Sequence, residues 1–295
     1  MSKSIIIGSE GYLGANITGF LESRGENVYC YGRQKKAGQS KTNFRRFDIT
    51  DPISFANLDL DVDYIYFFAG LTGTGRGFEQ YNQFIDTNEK GLLNLLNCMK
   101  LRKSKARIIF PSTRLVYKGA FRTRLSESAE KETNTIYALN KLACESFLKM
   151  YRNAFDVNYT IFRICVPYGH TANNDYSYGT VGFFQRQAKA GQNISLFGDG
   201  SLMRTFTHVQ DICEKIYIAV QKQETVGNIY NISGEDLTLY DVAIRIAEKY
   251  KVRIDFQEWP DLESRIETGD TIFDGRLLDS ITYDGVKKNI AQILD

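Results

Sequence analysis

The apolar run Ser4–Ile7 is followed at once by three glycines at a spacing of three, Gly8, Gly11 and Gly14, and then by a segment with helical periodicity, Leu13–Ser23. A strand that turns through glycine straight into a helix has few packing solutions: the helix lies back on the sheet with its N-terminus at the strand's carboxyl end. The first glycine permits the tight turn, the second lets a phosphate approach the backbone, and the third lets helix and strand pack closely. The helix N-terminus adds unpaired N–H groups and a partial positive charge. The loop reads as a seat for a pyrophosphate or, plainly, as a glycine-rich turn without a ligand; by itself it does not separate the two.

The rest of the first half repeats the alternation. Asn27–Tyr31, Phe44–Phe47, Tyr64–Phe68, Ala106–Phe110 and Tyr159–Ile164 read as strands, while Tyr81–Lys100 and Asn134–Arg152 carry apolar residues at helical spacing. Strands alternating with helices predict a Rossmann-like, doubly wound parallel sheet covered on both faces. Pro111 and Pro167 each follow such a strand, where the ladder is expected to end. After about residue 166 the rhythm breaks: residues 169–182 are rich in Gly, Asn, Tyr and Ser and read as loop, then Phe183–Gly191 and residues 238–250 read as helices. The expected division is a dinucleotide-binding domain over 1–165 with about 205–232, and a smaller substrate lobe over 166–204 and 233–295.

Composition narrows the classes. A chain of 295 residues, 43% hydrophobic and 24% charged, can bury a sizeable core. A net charge of +2 with both signs mixed gives no footprint for nucleic acid. No apolar run approaches a membrane span of about 20 residues, and the N-terminus lacks a signal peptide's apolar region. Five scattered cysteines, Cys30, Cys98, Cys144, Cys165 and Cys213, read as small buried side chains rather than a disulfide framework, and two histidines, His170 and His208, are too few for most metal sites. A cytoplasmic, metal-free, soluble protein is expected.

The end of the second strand bears on which dinucleotide would fit. An acid there accepts from the ribose 2′-hydroxyl of NAD. This chain has Gly32, then Arg33, Lys35 and Lys36. An arginine can grip a 2′-phosphate bidentately, so the pattern favours NADP(H) over NAD(H); for the two lysines a solvated basic loop is the rival reading. Glu10 lies inside the glycine loop, facing a pyrophosphate, and is expected to point outward or to weaken the site.

The stretch YALNK puts Tyr137 and Lys141 on one helix face, one turn apart. A free tyrosine, with a pKa of about 10, is a poor base near neutrality. A nearby ammonium favours the phenolate, so Tyr137 could exchange a proton with a carbinol oxygen while hydride moves. PSTRLVY, from Pro111 to Tyr117, follows a strand and supplies hydroxyls at Ser112 and Thr113.

Taken together the motifs resemble an extended short-chain dehydrogenase/reductase of the nucleotide-sugar epimerase/dehydratase family. The matching pieces, spanning nearly the whole chain, are IGSEGYLG (7–14), FDIT (from Phe47), FFAGL (67–71), TNEKGLLNLL (87–96), STRLVY (112–117), YALNK (137–141), FRICVPYG (162–169), LFGDGSLMRTFTHVQD (196–211) and NIYNISG (228–234). The resemblance implies Thr113, Tyr137 and Lys141 as the catalytic set with Asn88 supporting the active-site helix. It implies a cofactor site at Gly8, Gly11, Tyr12, Leu13, Gly14, Asp48, Ile49, Phe68, Ala69 and Gly70, with Tyr137 and Lys141 at the nicotinamide end; Arg33 joins that site from the reading of the second strand's end. Asp48 and Ile49 would hold adenine, and Lys141 the nicotinamide ribose. It implies a nucleotide-sugar substrate met by Thr113 and Arg204, with Arg204 on the diphosphate, and a homodimer formed through helices around 81–100 and 136–152; Thr72 and Arg265 are further candidate substrate contacts.

Departures from the family pattern separate reactions. The family's 4,6-dehydratases carry Asp-Glu directly after the catalytic threonine; here Arg114 and Leu115 follow Thr113. Its 4-epimerases usually carry an acid at the end of the second strand, where this chain has Gly32. The expectation is therefore NADPH-dependent reduction of an NDP-4-keto-6-deoxysugar at C4, with an NAD-dependent 4-epimerase as the alternative and a non-catalytic dinucleotide sensor as a remoter one. Val166 stands where the family often has a substrate-contacting Asn. Tyr178, Arg265 and Arg276 are candidate contacts in the variable part, with ordinary surface residues as the alternative reading.

Overall fold

The computed structural model describes residues 2–34, 43–169 and 179–294. Along the chain come β1 (Lys3–Ile7), α1 (Tyr12–Ser23), β2 (Asn27–Gly32), β3 (Phe44–Arg46) and β4 (Tyr64–Phe67). A helical stretch comes next, made of α2 (Thr74–Glu79), α3 (Tyr81–Phe84), a π-helical turn over Ile85–Lys90 and α4 (Gly91–Arg102). After it are β5 (Arg107–Thr113), the short β6 (Arg124–Leu125), α5 (Ile136–Phe155) and β7 (Asn158–Ile164).

These segments, with β11 (Ile229–Asn231), make a seven-stranded sheet in the order β11-β7-β5-β4-β1-β2-β3. Every pairing within it is parallel. Ile5, Ile6 and Ile7 are buried on both faces of β1, as a strand covered by helices on each side requires. The chain winds outward from β1 through β2 to β3, then crosses back to β4. The order therefore reverses between β1 and β4, and such a switch point opens a crevice at the strands' carboxyl ends.

The smaller sheets come mostly from the second half. β8 (Val166–Tyr168), β10 (Met203–His208) and β12 (Glu235–Thr238) form one, and β9 (Ile194–Phe197) pairs with β13 (Ile254–Gln257). β14 (Ile272–Phe273) returns to pair with β6. The helices here are α6 (Gly179–Lys189), α7 (Val209–Val220), α8 (Leu239–Tyr250), α9 (Asp261–Ile266), α10 (Arg276–Asp279) and α11 (Ala291–Leu294). α7 covers the large sheet, packing Ile212 and Ile216 into the same core as Ile6 and Ile17. A separate apolar core joins Phe184, Phe206, Val242 and Phe273 to Val116, Tyr117 and Leu125, so the segment after β5 belongs to the lobe's packing.

Two sequence expectations are corrected. The ladder does not stop at Pro111: β5 runs to Thr113, with Pro111 paired to Phe162 of β7. β4 flanks β5 only as far as Ile109, so Pro111 sits where one side of the strand is already an edge. Pro167 lies within β8, paired with Thr207 of β10. The stretch Tyr81–Lys100 is not one regular helix, because a wide turn over Ile85–Lys90 interrupts it; such turns reset side-chain directions and leave carbonyls free for other donors.

Candidate active site

The glycine turn closes at the switch point. Gly8 has φ +91°, and its N–H donates to Tyr31 O of β2 at 2.8 Å. A Cβ on Gly8 would stand 2.4 Å from Ala69 N, and one on Gly14 would stand 2.1 Å from Gly8 O, so both positions exclude a side chain by close backbone approach. Gly11 is the N-cap of α1 and provides no side-chain cap, which leaves the helix's first N–H groups open to an anion. Tyr12 ties the turn to the lobe by donating its phenol proton to Gly169 O at 3.0 Å, and Leu13 packs inward.

A cavity of about 1210 Å³ lies over these strand ends. Gly8, Glu10 and Gly11 line it from the turn, Gly32 and Arg33 from the end of β2 and the residue after it, Asp48 and Ile49 from the segment after β3, and Phe68, Ala69 and Gly70 from the segment after β4. Its length of strand ends and its uncapped helix suit a dinucleotide. At its far side Asp48 accepts from Thr50 N (2.9 Å) and Thr50 Oγ1 (2.8 Å), and these bonds hold its carboxyl below the ordinary range. Ile49 is buried and offers its carbonyl to Asn94 Nδ2 at 2.9 Å. Glu10 does not point outward, contrary to expectation: it folds onto the end of β2, where Oε1 accepts the Arg33 N–H at 3.0 Å. The Arg33 side chain is exposed at the rim. Lys35, Lys36, His170 and Tyr178 lie outside the described residues.

The candidate catalytic side chains stand on β5 and α5. Thr113 ends β5 and caps the short turn Arg114–Val116, its Oγ1 accepting from Leu115 N at 3.3 Å. Among the described residues its hydroxyl proton is left for another acceptor. Thr135 caps α5 by accepting from Ala138 N at 3.1 Å, which sets Tyr137 in the first turn and Lys141 one turn on. Lys141 is 8% exposed. Its Nζ donates to Pro111 O at 2.7 Å, lies 4.4 Å over the Phe110 ring and 5.9 Å from the centre of the Tyr137 ring. Burial pushes its ammonium down to about 8. Asn88, on the wide turn, accepts from Leu71 N (2.8 Å) and donates to Leu71 O (3.1 Å) and Asn140 Oδ1 (3.3 Å). It therefore fastens the loop after β4 to α5. The Asn88 carbonyl accepts from Cys144 Sγ of α5 at 3.2 Å, and Asn140 Nδ2 donates to Glu89.

Beneath Thr113 lies a buried polar chain that sequence reading missed. Glu145 accepts from Ser112 Oγ (2.5 Å), Arg163 Nε (2.9 Å) and Arg163 Nη2 (2.5 Å). Arg163 Nη1 donates to Tyr117 Oη, which donates to Asn231 Oδ1, both at 2.7 Å. Burial opposes the Arg163 charge, but the bonds and charge of Glu145 overrule it and hold the guanidinium raised. The signal was available: Tyr137, Lys141 and Glu145 succeed one another at four-residue steps along one face of α5.

The lobe-side candidates are not gathered in this way. Arg204 is 2% exposed and already engaged, with Nη1 donating to Met203 O (2.8 Å) and Gly269 O (2.7 Å) and Nη2 to Glu267 Oε1 (2.7 Å). It ties β10 to the segment before β14. Burial, with Arg114 nearby, lowers it to about 10. Arg265 is exposed and pairs with Asp261 within α9; Arg276 is exposed and pairs with Asp274. Thr72 is exposed in the loop after β4, and Val166 is buried in β8. Arg114 donates to Thr271 Oγ1 at 3.4 Å. Cys30, Cys144, Cys165 and Cys213 are buried free thiols. Among the described residues no cluster of His, Cys, Asp and Glu could hold a metal ion, and no helix is long and apolar enough to cross a membrane.

A parallel sheet with an open helix N-terminus at its switch point, Thr113 at the end of β5 and Tyr137 with Lys141 at the start of α5, is the architecture of an extended short-chain dehydrogenase/reductase. The chain belongs to the NAD-dependent epimerase/dehydratase family, whose model matches residues 4–233. It is 29% identical over 247 residues to a UDP-N-acetyl-α-D-glucosaminuronate decarboxylase of Bacillus cytotoxicus, covering 79% of this chain and 75% of the relative. It is 24% identical over 226 residues to a dTDP-4-dehydro-6-deoxy-D-allose reductase of a Streptomyces species, covering 70% and 69%. The fold matches the UDP-glucose 4-epimerase of Thermus thermophilus, solved in complex with NAD, with a TM-score of 0.86, 21% identity and coverage of 99% and 98%.

Proposed function

We propose that this chain reduces the C4 keto group of an NDP-4-keto-6-deoxysugar with a nicotinamide dinucleotide. The observation that carries the reading is the pair of residues after Thr113. Arg114 turns away to Thr271 and Leu115 is apolar, so this turn brings no carboxylate acid and base for eliminating water. The remaining set is suited to protonating one oxygen. The similarity to a 4-keto-6-deoxysugar reductase supports the same reading.

The residues present fit a dinucleotide. Gly11 and the start of α1 would take its diphosphate, Asp48 and Ile49 its adenine, the backbone of Phe68–Gly70 its length, and Lys141 its nicotinamide ribose. When bound, that group supplies the hydride. Tyr137 gives its phenol proton to the keto oxygen. Thr113 donates a hydrogen bond to the same oxygen while one of its two lone pairs accepts from the Leu115 N–H. Lys141, held by Pro111 O and the Phe110 ring, stabilises the phenolate left on Tyr137. Asn88 keeps the loop after β4 and α5 in register.

A second reading, an NAD-dependent 4-epimerase, is favoured by the Glu10 carboxylate at the end of β2, which opposes the NADP(H) preference that Arg33 supports. The two differ in stoichiometry. A reductase consumes one reduced dinucleotide per sugar; an epimerase consumes none. Incubation with dTDP-, GDP- and CDP-linked 4-keto-6-deoxysugars and either reduced dinucleotide tests the proposal, and no oxidation across that panel overturns it. A homodimer through α4 and α5 belongs to the same proposal. It is supported by Leu101, Leu139, Met150 and Phe155, which stand exposed on those helices, and sedimentation equilibrium tests it.

A further inference from the structure

The acid in the glycine loop and the glycine at the end of β2 explain each other. A Cβ built on Gly32 would stand 2.0 Å from Glu10 Oε2, 2.5 Å from its Cδ and 2.7 Å from its Oε1, and these are its three nearest atoms. The Glu10 carboxyl therefore fills the volume into which a side chain at position 32 would grow. One oxygen is committed, since Oε1 accepts the Arg33 N–H at 3.0 Å. The other, Oε2, is shielded from solvent and has no hydrogen-bond partner among the described residues. A buried carboxylate oxygen without a donor is costly and calls for one. Glu10, Gly32 and Arg33 all line the dinucleotide-sized cavity.

In doubly wound sheets the adenosine ribose is read by an acid at the end of the second strand. We infer that Glu10 takes over that task from the glycine loop: a rotation of its carboxyl presents Oε2 to the cavity that Glu10 lines, where it accepts from the ribose hydroxyls and selects NAD(H) over NADP(H). The inference deepens the proposed dinucleotide site and rests on it. The argument is one of charge and space. A ribose diol brings donors to a carboxylate that lacks one, whereas a 2′-phosphate brings two negative charges to the same place. Arg33 does not reverse this preference, because its side chain is exposed at the rim while the Glu10 carboxyl stands inside it. The missing acid of β2 is thus relocated, not lost.

The test is the affinity of the full-length protein for NADH and NADPH, each measured by calorimetry without a sugar substrate. The wild type is expected to bind NADH at least about tenfold more tightly, the scale of one charge-assisted hydrogen bond. Glu10→Gln is expected to narrow the ratio by about tenfold. The double variant Glu10→Ala with Gly32→Asp removes the clash and returns an acid to β2, so it is expected to restore the NADH preference. A wild type that prefers NADPH overturns the inference. So does an unchanged ratio in Glu10→Gln, which would leave Glu10 as a cap for the Arg33 N–H whose loss lowers thermal stability alone. If the wild type binds neither dinucleotide, the dinucleotide site itself fails and this inference with it.

Discussion

Replacing Glu145 by alanine tests the polar chain beneath Thr113. Glu145 and Arg163 have side-chain exposures of 4% and 3%, so neither charge reaches water. The substitution removes three hydrogen bonds, from Ser112 Oγ, Arg163 Nε and Arg163 Nη2. It leaves a guanidinium in the interior with partners on Nη1 alone, the Tyr117 hydroxyl and Glu127 O. Breaking a buried pair from one side costs roughly 3–5 kcal/mol, because the remaining charge stays desolvated and unpaired. At about 2–4 °C per kcal/mol for a large domain, the midpoint should fall by on the order of 10 °C. Urea denaturation followed by circular dichroism, with thermal melts alongside, measures it. Replacing both partners, Glu145→Leu with Arg163→Met, should recover most of the loss, since no charge is left stranded. A Glu145→Ala protein within about 1 kcal/mol of wild type would refute the reasoning.

Three further outcomes are expected at the site. Tyr137→Phe should lower turnover by roughly 10²–10⁴-fold while dinucleotide affinity is kept, and unchanged turnover would remove Tyr137 from the acid/base role. The Lys141 ammonium, pushed down to about 8 by burial, is present below that pH and lost above it, so kcat/KM should fall as pH rises through about 8. Lys141→Arg keeps the charge and should abolish that limb; a wild-type profile flat to high pH contradicts the assignment. Gly14→Ala places a methyl 2.1 Å from Gly8 O, so the turn must shift and dinucleotide binding should be lost in a calorimetric titration, whereas retained affinity would mean that the turn does not shape the site.

Much of this was readable because the sheet is parallel and covered on both faces. Runs such as Ile5–Ile7 and Ile65–Phe67 declare buried strands without help from their surroundings. The placement of the candidate site was legible for a related reason: Tyr137 and Lys141 are set by one helical turn, and Thr113 by the end of its strand. Side-chain direction across elements was not legible. The inward fold of Glu10 depends on the space that Gly32 leaves, and nothing in the spacing of the loop carries that. The burial of Arg204 depends on Glu267 and Gly269, more than sixty residues away in sequence. The wide turn at 85–90 keeps helical composition and shows itself only in the backbone.

The central claim is that a hydride passes between a nicotinamide and C4 of a nucleotide-linked sugar at the Thr113–Tyr137–Lys141 site. It is tested most directly by supplying reduced dinucleotide, in both the NADH and NADPH forms, deuterated at the transferable nicotinamide position, together with a 4-keto-6-deoxy NDP-sugar. Product NMR should place deuterium on C4 of the sugar with wild-type protein and not with Tyr137→Phe. Sugar recovered without label from either dinucleotide, across the dTDP-, GDP- and CDP-linked substrates, would contradict the account.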